Sequence, residues 1–210
     1  DVFGTSQMRP LRIRCLPTFA QLWLLKQLPD FRARYPGVNV QLHMGTWASA
    51  IQSNQLDIEI RFGNGDWQGQ HATLLARAPV VPVCHPNLQP KGETLETLRD
   101  SPLIEIIGVA DNWYQFFRQE NLVPLRQIPA INVDQSIAAL ELAVNGMGHA
   151  LVSELFAFPY LQDGRLVHSL PLKKHTDQAI YVTCPEGPMS YDCQIFLDWI
   201  VERSSPMRQA

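Results

Sequence analysis

The chain has 210 residues, enough for one large domain or two smaller lobes with a substantial buried core. Hydrophobic residues make up 46% of it and charged residues 18%, the ordinary balance of a globular protein. The net charge is −3 and charges of both signs are interspersed, which excludes an extended basic surface for nucleic acid or anionic membrane within these residues.

No stretch of about 18 apolar residues occurs, so a membrane-spanning segment is not expected. Residues 1–10 lack the apolar core of a signal peptide, and we interpret them as the remnant of a linker. The four cysteines form no C-x-x-C pair and the six histidines form no i, i+4 pair, so we expect neither a metal nor a cofactor. Free buried thiols are typical of the reducing cytoplasm, the location that we expect.

The first part of the chain predicts alternating strands and helices. LRIRCLP has the period-two pattern of a strand. Pro29 lies in the helical pattern that follows; because proline is tolerated in the first turn of a helix, we predict a short turn near 18–24 and a helix over 27–35. VNVQLHM is a second strand, AIQSNQ a short helix and LDIEIRF a third strand. This β-α-β-α-β order predicts a parallel sheet.

The second part continues with apolar strands and helices. In chain order they are the strand APVVPVCHP, a helix near 94–100, a strand at 103–107, an aromatic helix at 111–121, the strand INV, the helix QSIAALELAVNG, the strands HALV and AIYVTCP, and a helix over 190–203. Gly146 lies where a C-terminal helix cap is wanted. The last helix is expected to bury one apolar face, formed by Tyr191, Ile195, Phe196, Trp199 and Ile200.

The strands APVVPVCHP and AIYVTCP both end in cysteine and proline, and they suggest two crossings of the chain between two α/β lobes. The predicted division gives residues 11–82 and 184–203 to lobe I and residues 83–183 to lobe II. Ligands of open α/β sheets bind at the carboxyl ends of strands, so a cleft between the lobes is the expected ligand site.

Several segments, in this order and spacing, resemble the effector-binding domain of LysR-type transcriptional regulators: PTFAQLWLLKQLPDFRARYPGVNVQL, LDIEIRFGNGDWQG, VVPVCHPNL, VDQSIAALELAVNGMGHALV and LQDGRLV. The resemblance extends from about residue 11 to residue 201. It is strongest to the branch that contains the glycine-cleavage activator and the β-lactamase regulator. It implies the periplasmic-binding-protein type II architecture, with two Rossmann-like lobes joined by two crossing strands. It also implies that the winged-helix DNA-binding domain of such regulators is absent from this chain.

The resemblance implies ligand-tuned control of transcription. A small-molecule effector, an amino-acid or peptide-like carboxylate, would bind the cleft and change the geometry of a dimer or tetramer on promoter DNA. Family domains pair antiparallel, helix 27–35 of one chain against helix 135–145 of the other. The apolar residues that these helices offer are Phe31, Tyr35, Ile137, Leu140 and Val144. They can equally be buried within each lobe.

The segment LDIEIRFGNGDWQG carries the first candidate ligand group, Arg61, at the end of a strand. Asp57, Glu59 and Arg61 share one face of that strand. Arg61 therefore either pairs with Asp57 or Glu59 or binds a ligand carboxylate with its planar guanidinium. Glu59 stands where the family usually has a small residue, which argues against the second interpretation.

Six further residues are candidates for ligand contact by their positions at strand ends and helix starts: Thr18, Thr46, Trp47, Phe62, Asp134 and Gln135. Thr18 and Asp134 can alternatively be helix N-caps. Asp134 is the candidate partner for a ligand ammonium group. Trp47 can wall a pocket or form part of an interface.

An enzyme is not expected. The G-x-G of FGNGD has no third glycine, and neither a P-loop nor a G-x-S-x-G motif occurs. Cys84 has no identifiable catalytic partner, because its neighbour His85 points to the opposite face of a strand. The alternative to a regulator is a free-standing solute-binding protein of the same fold, against which the lack of a signal peptide and the unpaired cysteines argue.

Overall fold

The computed structural model describes residues 9–45, 56–89, 94–122 and 131–208. In chain order the elements are β1 (Leu11–Cys15), α1 (Pro17–Phe19), a π-helical segment (Ala20–Leu24), α2 (Leu25–Arg34), β2 (Val40–Met44), β3 (Ile58–Gly63), β4 (Gln70–Ala76), β5 (Val80–Cys84), α3 (Leu95–Arg99), β6 (Leu103–Ile106), α4 (Trp113–Gln119), β7 (Ile131–Val133), α5 (Ser136–Val144), β8 (His149–Ser153), α6 (Glu154–Gln162), β9 (Val167–His168), β10 (Ala179–Pro185) and α7 (Tyr191–Arg203). Short 3-10 turns occupy Pro86–Leu88 and Ser205–Arg208. The α/β class predicted from the sequence is confirmed.

The chain divides into two compact units. Unit 1 is Asp1–Arg77 with Asp177–Ala210, and unit 2 is Ala78–Thr176. Both changes of unit come a few residues before the predicted ones at 82/83 and 183/184, which fell inside strands. The strand β5 pairs along its length with β8 and β9 of unit 2, and β10 pairs with β3 and β4 of unit 1. Since the backbone hydrogen bonds of a strand tie it to one sheet, the unit changes before the strand rather than within it.

The sheet of unit 1 has the strand order β2-β1-β3-β10-β4. Strands β2, β1 and β3 are parallel, as the sequence predicts, with Ile13 of β1 opposite both Leu42 and Ile58. Strand β10 runs antiparallel between β3 and β4. The sequence pattern did not predict β4, and the short helix predicted at 50–55 lies outside the described residues.

The helix after β1 continues through Pro29, so the predicted break there is wrong. Helix α1, the π-helical segment and α2 follow one another from Pro17 to Arg34. The Leu25 N–H donates to the Ala20 carbonyl, the wide i→i−5 hydrogen bond of a π turn. Leu24 and Phe31, before and after the proline, are buried. Packing in the core therefore outweighs the one backbone hydrogen bond that proline removes.

The last helix packs on α2 through aromatic rings. The Phe31 ring lies 5.2 Å from Phe196 and 4.9 Å from Trp199, both in edge-on contact. Tyr191 does not share this buried face as predicted; it is 80% exposed. It is the first residue of α7, and the segment 185–190 before it is exposed as well, so no core lies against its ring.

The sheet of unit 2 has the order β7-β6-β8-β5-β9, with β6 parallel to β7 and β8 and with β5 antiparallel to β8 and β9. The rings of Trp113 and Phe117 stack 5.5 Å apart in its core, and the Trp113 indole N–H donates to the Ile104 carbonyl at 2.9 Å. Helix α6 and strand β9 were not predicted. Gly146 ends α5 as expected, with a φ of 74° that favours glycine.

Among the described residues, no helix is both long and apolar enough to cross a bilayer.

Candidate functional site

One edge of the unit 1 sheet collects the carboxyl ends of β1, β3 and β4, because these three strands run in the same direction. Strand β10 runs the other way and begins at this edge, with Ala179 opposite Gly63 and Tyr181 opposite Arg61. Register partners on neighbouring strands point to the same face of a sheet. Topology therefore brings Arg61 and Tyr181 together from positions far apart in sequence.

Arg61 lies against two aromatic rings at this edge. Its guanidinium carbon is 4.5 Å from the centre of the Trp67 ring, a cation–π arrangement. The Trp67 and Tyr181 rings meet edge-on, with centroids 5.6 Å apart. The Tyr181 hydroxyl accepts a hydrogen bond from Arg77 at 3.3 Å and lies 3.4 Å from the Asn64 carbonyl, to which it can donate. A guanidinium is thus held beside an aromatic wall.

The glycines of the turn after β3 make room for these rings. A Cβ on Gly63 would lie 2.7 Å from the Trp67 side chain. Gly65 has a φ of 91°, and a Cβ there would lie 2.8 Å from the Tyr181 ring. Both contacts are shorter than real side chains tolerate, so the turn between strand and tryptophan needs glycine at both positions.

A buried ion pair lies beneath Arg61 on the same face of the sheet. Arg14 donates to the Glu59 carboxylate at 2.6 and 3.1 Å, and both residues are at least 93% buried. Asp57 accepts from the Arg9 side chain at 2.9 Å and from the Arg12 N–H at 2.8 Å. The carboxylates proposed as structural partners of Arg61 therefore have other arginines as hydrogen-bond donors.

Glu59 also acts on Arg61 through space. Burial lowers the pKa of the Arg61 guanidinium, the Glu59 carboxylate raises it, and the positive charge of Arg14 lowers it. Arginine stays protonated in proteins, so Arg61 keeps its positive charge. The Glu59 carboxylate offsets part of that charge, which weakens the attraction of Arg61 for a ligand anion. Binding of a ligand carboxylate by Arg61 stays a prediction.

The remaining candidates from unit 1 are placed differently. Thr18 is buried inside α1 rather than at its cap; the cap is Leu16, because Pro17 occupies the first helical position. Phe62 is half-buried and lies opposite Ile180, on the other face of β3 from Arg61. Thr46 and Trp47 lie outside the described residues.

Asp134 and Gln135 belong to unit 2. Asp134 is exposed, and the cap position of α5 is Gln135, whose backbone is still extended; the interpretation of Asp134 as the helix cap is therefore wrong. An ammonium-binding role for Asp134 stays a prediction.

Tyr181 and Arg77 were not identified from the sequence. Tyr181 stands in a strand that was predicted, but its register against β3 cannot be read from the pattern of that strand. Arg77 follows a strand that was not predicted at all.

The described ranges contain no cluster of three or more potential metal ligands. All four cysteines are buried thiols that form no disulfide. Burial, followed by the nearby charges of Cys184 and Asp57, raises the pKa of the Cys193 thiol to about 12, and burial also raises the pKa of the Cys15 thiol. Such thiols are inert rather than nucleophilic at neutral pH.

The chain matches the family described as the LysR substrate binding domain over residues 5–205. It is 27% identical over 202 residues to the HTH-type transcriptional activator AmpR of Rhodobacter capsulatus, which covers 96% of this chain and 69% of that protein. It is 26% identical over 200 residues to the glycine cleavage system transcriptional activator of Escherichia coli K12, covering 93% and 65%. The chain thus spans about two thirds of the length of these relatives.

A solved structure has the same fold. The effector domain of the transcriptional regulator AmpR of Pseudomonas aeruginosa superposes with a TM-score of 0.83 at 27% identity, covering 96% of this chain and 98% of that one.

Proposed function

Because the chain belongs to the LysR substrate binding domain family, the effector-binding part of LysR-type transcriptional regulators, we propose that it senses a small carboxylate through Arg61. The family, its periplasmic-binding-protein type II fold and the non-enzymatic class agree with what the sequence predicted. The class of effector and the oligomeric state are proposals.

The observation that carries the proposal is the placement of the Arg61 guanidinium over Trp67 at the carboxyl-end edge of the sheet. A guanidinium that lies flat on a ring keeps its N–H groups in one plane, and a carboxylate can accept two parallel hydrogen bonds from that plane. The rings of Trp67 and Tyr181 offer an apolar wall for the rest of the ligand. An amino acid or a short peptide has this combination of groups.

Regulation of transcription follows by analogy with the relatives, whose names describe transcriptional activators. We propose that effector binding favours one arrangement of this domain over another, and that a DNA-binding part of the full-length protein responds. Such coupling requires that the effector bind the two arrangements with different affinities.

An antiparallel homodimer through α2 and α5 is part of the same proposal. Phe31 and Leu140, two of the residues considered for that interface, are buried in their own units and are unavailable for it. Tyr35, Ile137 and Val144 are only partly buried and remain candidates. Sedimentation of the wild-type chain and of Ile137→Asp tests the interface, and an unchanged sedimentation coefficient would contradict it.

Thermal melting tests the effector class. The wild-type chain is melted with α-amino acids and dipeptides, and with the corresponding amides, which lack the carboxylate. At a ligand concentration of about 100 times Kd the stabilisation is about 2.7 kcal/mol, which raises the Tm of a chain of this size by about 5 to 11 °C. We expect a larger rise with one acid than with its amide, and we expect this difference to disappear in Arg61→Ala.

Arg99→Ala is the matched control, since Arg99 lies on α3 in unit 2 and pairs with Asp100. It should keep the full ligand response. If the acid raises the Tm of Arg61→Ala as much as that of the wild type, Arg61 does not bind the ligand carboxylate.

A further inference from the structure

A cavity lies at the opposite edge of the unit 1 sheet from Arg61. It has a volume of about 720 Å³ and is formed where β1 and β3 begin, α2 ends and α7 begins. Its lining includes Leu11, Tyr35, Asp57, Tyr191 and Asp192; we call it the amino-end cavity. Arg61 stands at the other end of β3, so this cavity is separate from the candidate carboxylate site.

The amino-end cavity combines aromatic rings with surplus negative charge. Tyr35 and Tyr191 contribute the two rings. Its charged lining residues are Asp57, Asp192 and Arg9, two carboxylates against one guanidinium. The Arg9 side chain is 60% exposed and is bound to Asp57, which leaves the carboxylate of Asp192 as the surplus charge of the lining.

From this combination we infer that the amino-end cavity binds an organic ammonium ion with an apolar body. The ammonium group pairs with Asp192, and the apolar body packs against Tyr35 and Tyr191. Tyrosine faces attract cations, and that attraction grows as water is displaced from the ring. An anion is disfavoured, because it would meet two carboxylates.

The backbone on two sides of the cavity is held by hydrogen bonds before any ligand arrives. Asp57 is held to β1 by its own N–H, which donates to the Arg12 carbonyl at 2.9 Å, and by the Arg12 N–H, which donates to its carboxylate at 2.8 Å. The turn after α2 is held by the Val38 N–H, which donates to the Tyr35 carbonyl at 3.1 Å. These two segments therefore lose little conformational entropy when a ligand binds.

Tyr191 is the feature that a ligand would explain. Its side chain is 80% exposed, whereas the other aromatic residues of α7, Phe196 and Trp199, are at least 99% buried. Its helix start is already satisfied: Ser190 accepts from the Cys193 N–H at 3.2 Å, and Asp192 places its charge in the first turn. The ring is thus free to cover a ligand without any change in the helix.

The test is calorimetric titration of the 210-residue chain with 2-phenylethylammonium, and with 3-phenylpropionate as the anion of similar size. We expect saturable binding of the cation at this site and weaker or no binding of the anion there. Tyr191→Ala should weaken the cation about two- to fivefold, and Asp192→Asn, which keeps the size of the side chain, should weaken it by a similar factor.

Two controls locate the site. Tyr114→Ala removes a partly exposed tyrosine from unit 2. Arg61→Ala removes the guanidinium proposed to bind a ligand carboxylate. Both variants should bind the cation as the wild type does. Tyr191→Ala removes an exposed ring, so its melting curve without ligand should match that of the wild type. Absence of saturable cation binding, or binding that neither Tyr191→Ala nor Asp192→Asn weakens, would overturn the inference.

Discussion

Replacing Glu59 with glutamine removes the negative charge from the buried pair beneath Arg61 while keeping the side chain's size. Glu59 is 5% exposed and Arg14 is 7% exposed, so the charge left on Arg14 cannot be solvated by water. Breaking a buried pair by neutralising one member costs about 3 to 5 kcal/mol. Arg61 also loses the nearby negative charge of Glu59. We therefore expect the free energy of unfolding to fall by about 4 kcal/mol, the middle of that range.

For a chain of this size, a loss of about 4 kcal/mol corresponds to a fall in Tm of about 8 to 16 °C. The assay is urea denaturation followed by tryptophan fluorescence. Four of the five tryptophans belong to unit 1, so the signal reports mainly on the unit that holds the pair.

Asp100→Asn is the matched control, because Asp100 forms an exposed pair with Arg99 and should leave the midpoint unchanged. The double variant Arg14→Met, Glu59→Leu replaces both charges by apolar groups and should recover most of the loss. If Glu59→Gln unfolds at the same midpoint as Asp100→Asn, the reasoning about the buried pair is wrong.

Three further results are expected. His149 is buried against Ser169, and burial lowers its pKa to about 4. As the pH falls, the unfolded chain is therefore protonated at this residue before the folded chain is, which destabilises the fold. Between pH 7 and pH 5 the free energy of unfolding, measured by urea titration, should fall by about 2 kcal/mol more in the wild type than in His149→Asn. Gly65→Ala should unfold at a lower urea concentration than Gly69→Ala, because both glycines have positive φ but only Gly65 faces the Tyr181 ring. Equal urea midpoints of the two variants would contradict the steric argument. The four buried cysteines should react with a thiol reagent at the rate of unfolding, and fast labelling in native buffer would refute that expectation.

Much of the fold was legible in the sequence, because the pattern of apolar residues is local. The first three strands and their parallel order follow from short segments with period two and helical segments between them. Gly146 was identified as a helix end because a positive φ has a strong residue preference. Arg61 was singled out for the same local reason, as a charge at the end of an apolar strand.

What the sequence left undetermined depends on contacts between distant segments. Nothing local to AIYVTCP places Tyr181 opposite Arg61, since that pairing is fixed by the insertion of β10 between β3 and β4. Pro29 was expected in the first turn of a separate helix over 27–35, and the burial of Leu24 and Phe31 on either side of it explains why one helical segment continues through it instead. Tyr191 has the spacing of a core residue but is exposed to solvent. Spacing along the helix does not show that the first residue of α7 lies beyond the edge of the core.

The discontinuity of unit 1 has a consequence for synthesis of the protein. Unit 2 is one uninterrupted segment, so a ribosome that has released residue 176 has released everything its sheet requires. The strand that joins β3 to β4 emerges only afterwards, so until then β3 and β4 have no neighbour between them. Unit 2 should therefore acquire protease resistance on the nascent chain first, while the arginine at the end of β3 gains its tyrosine neighbour only when synthesis has passed β10.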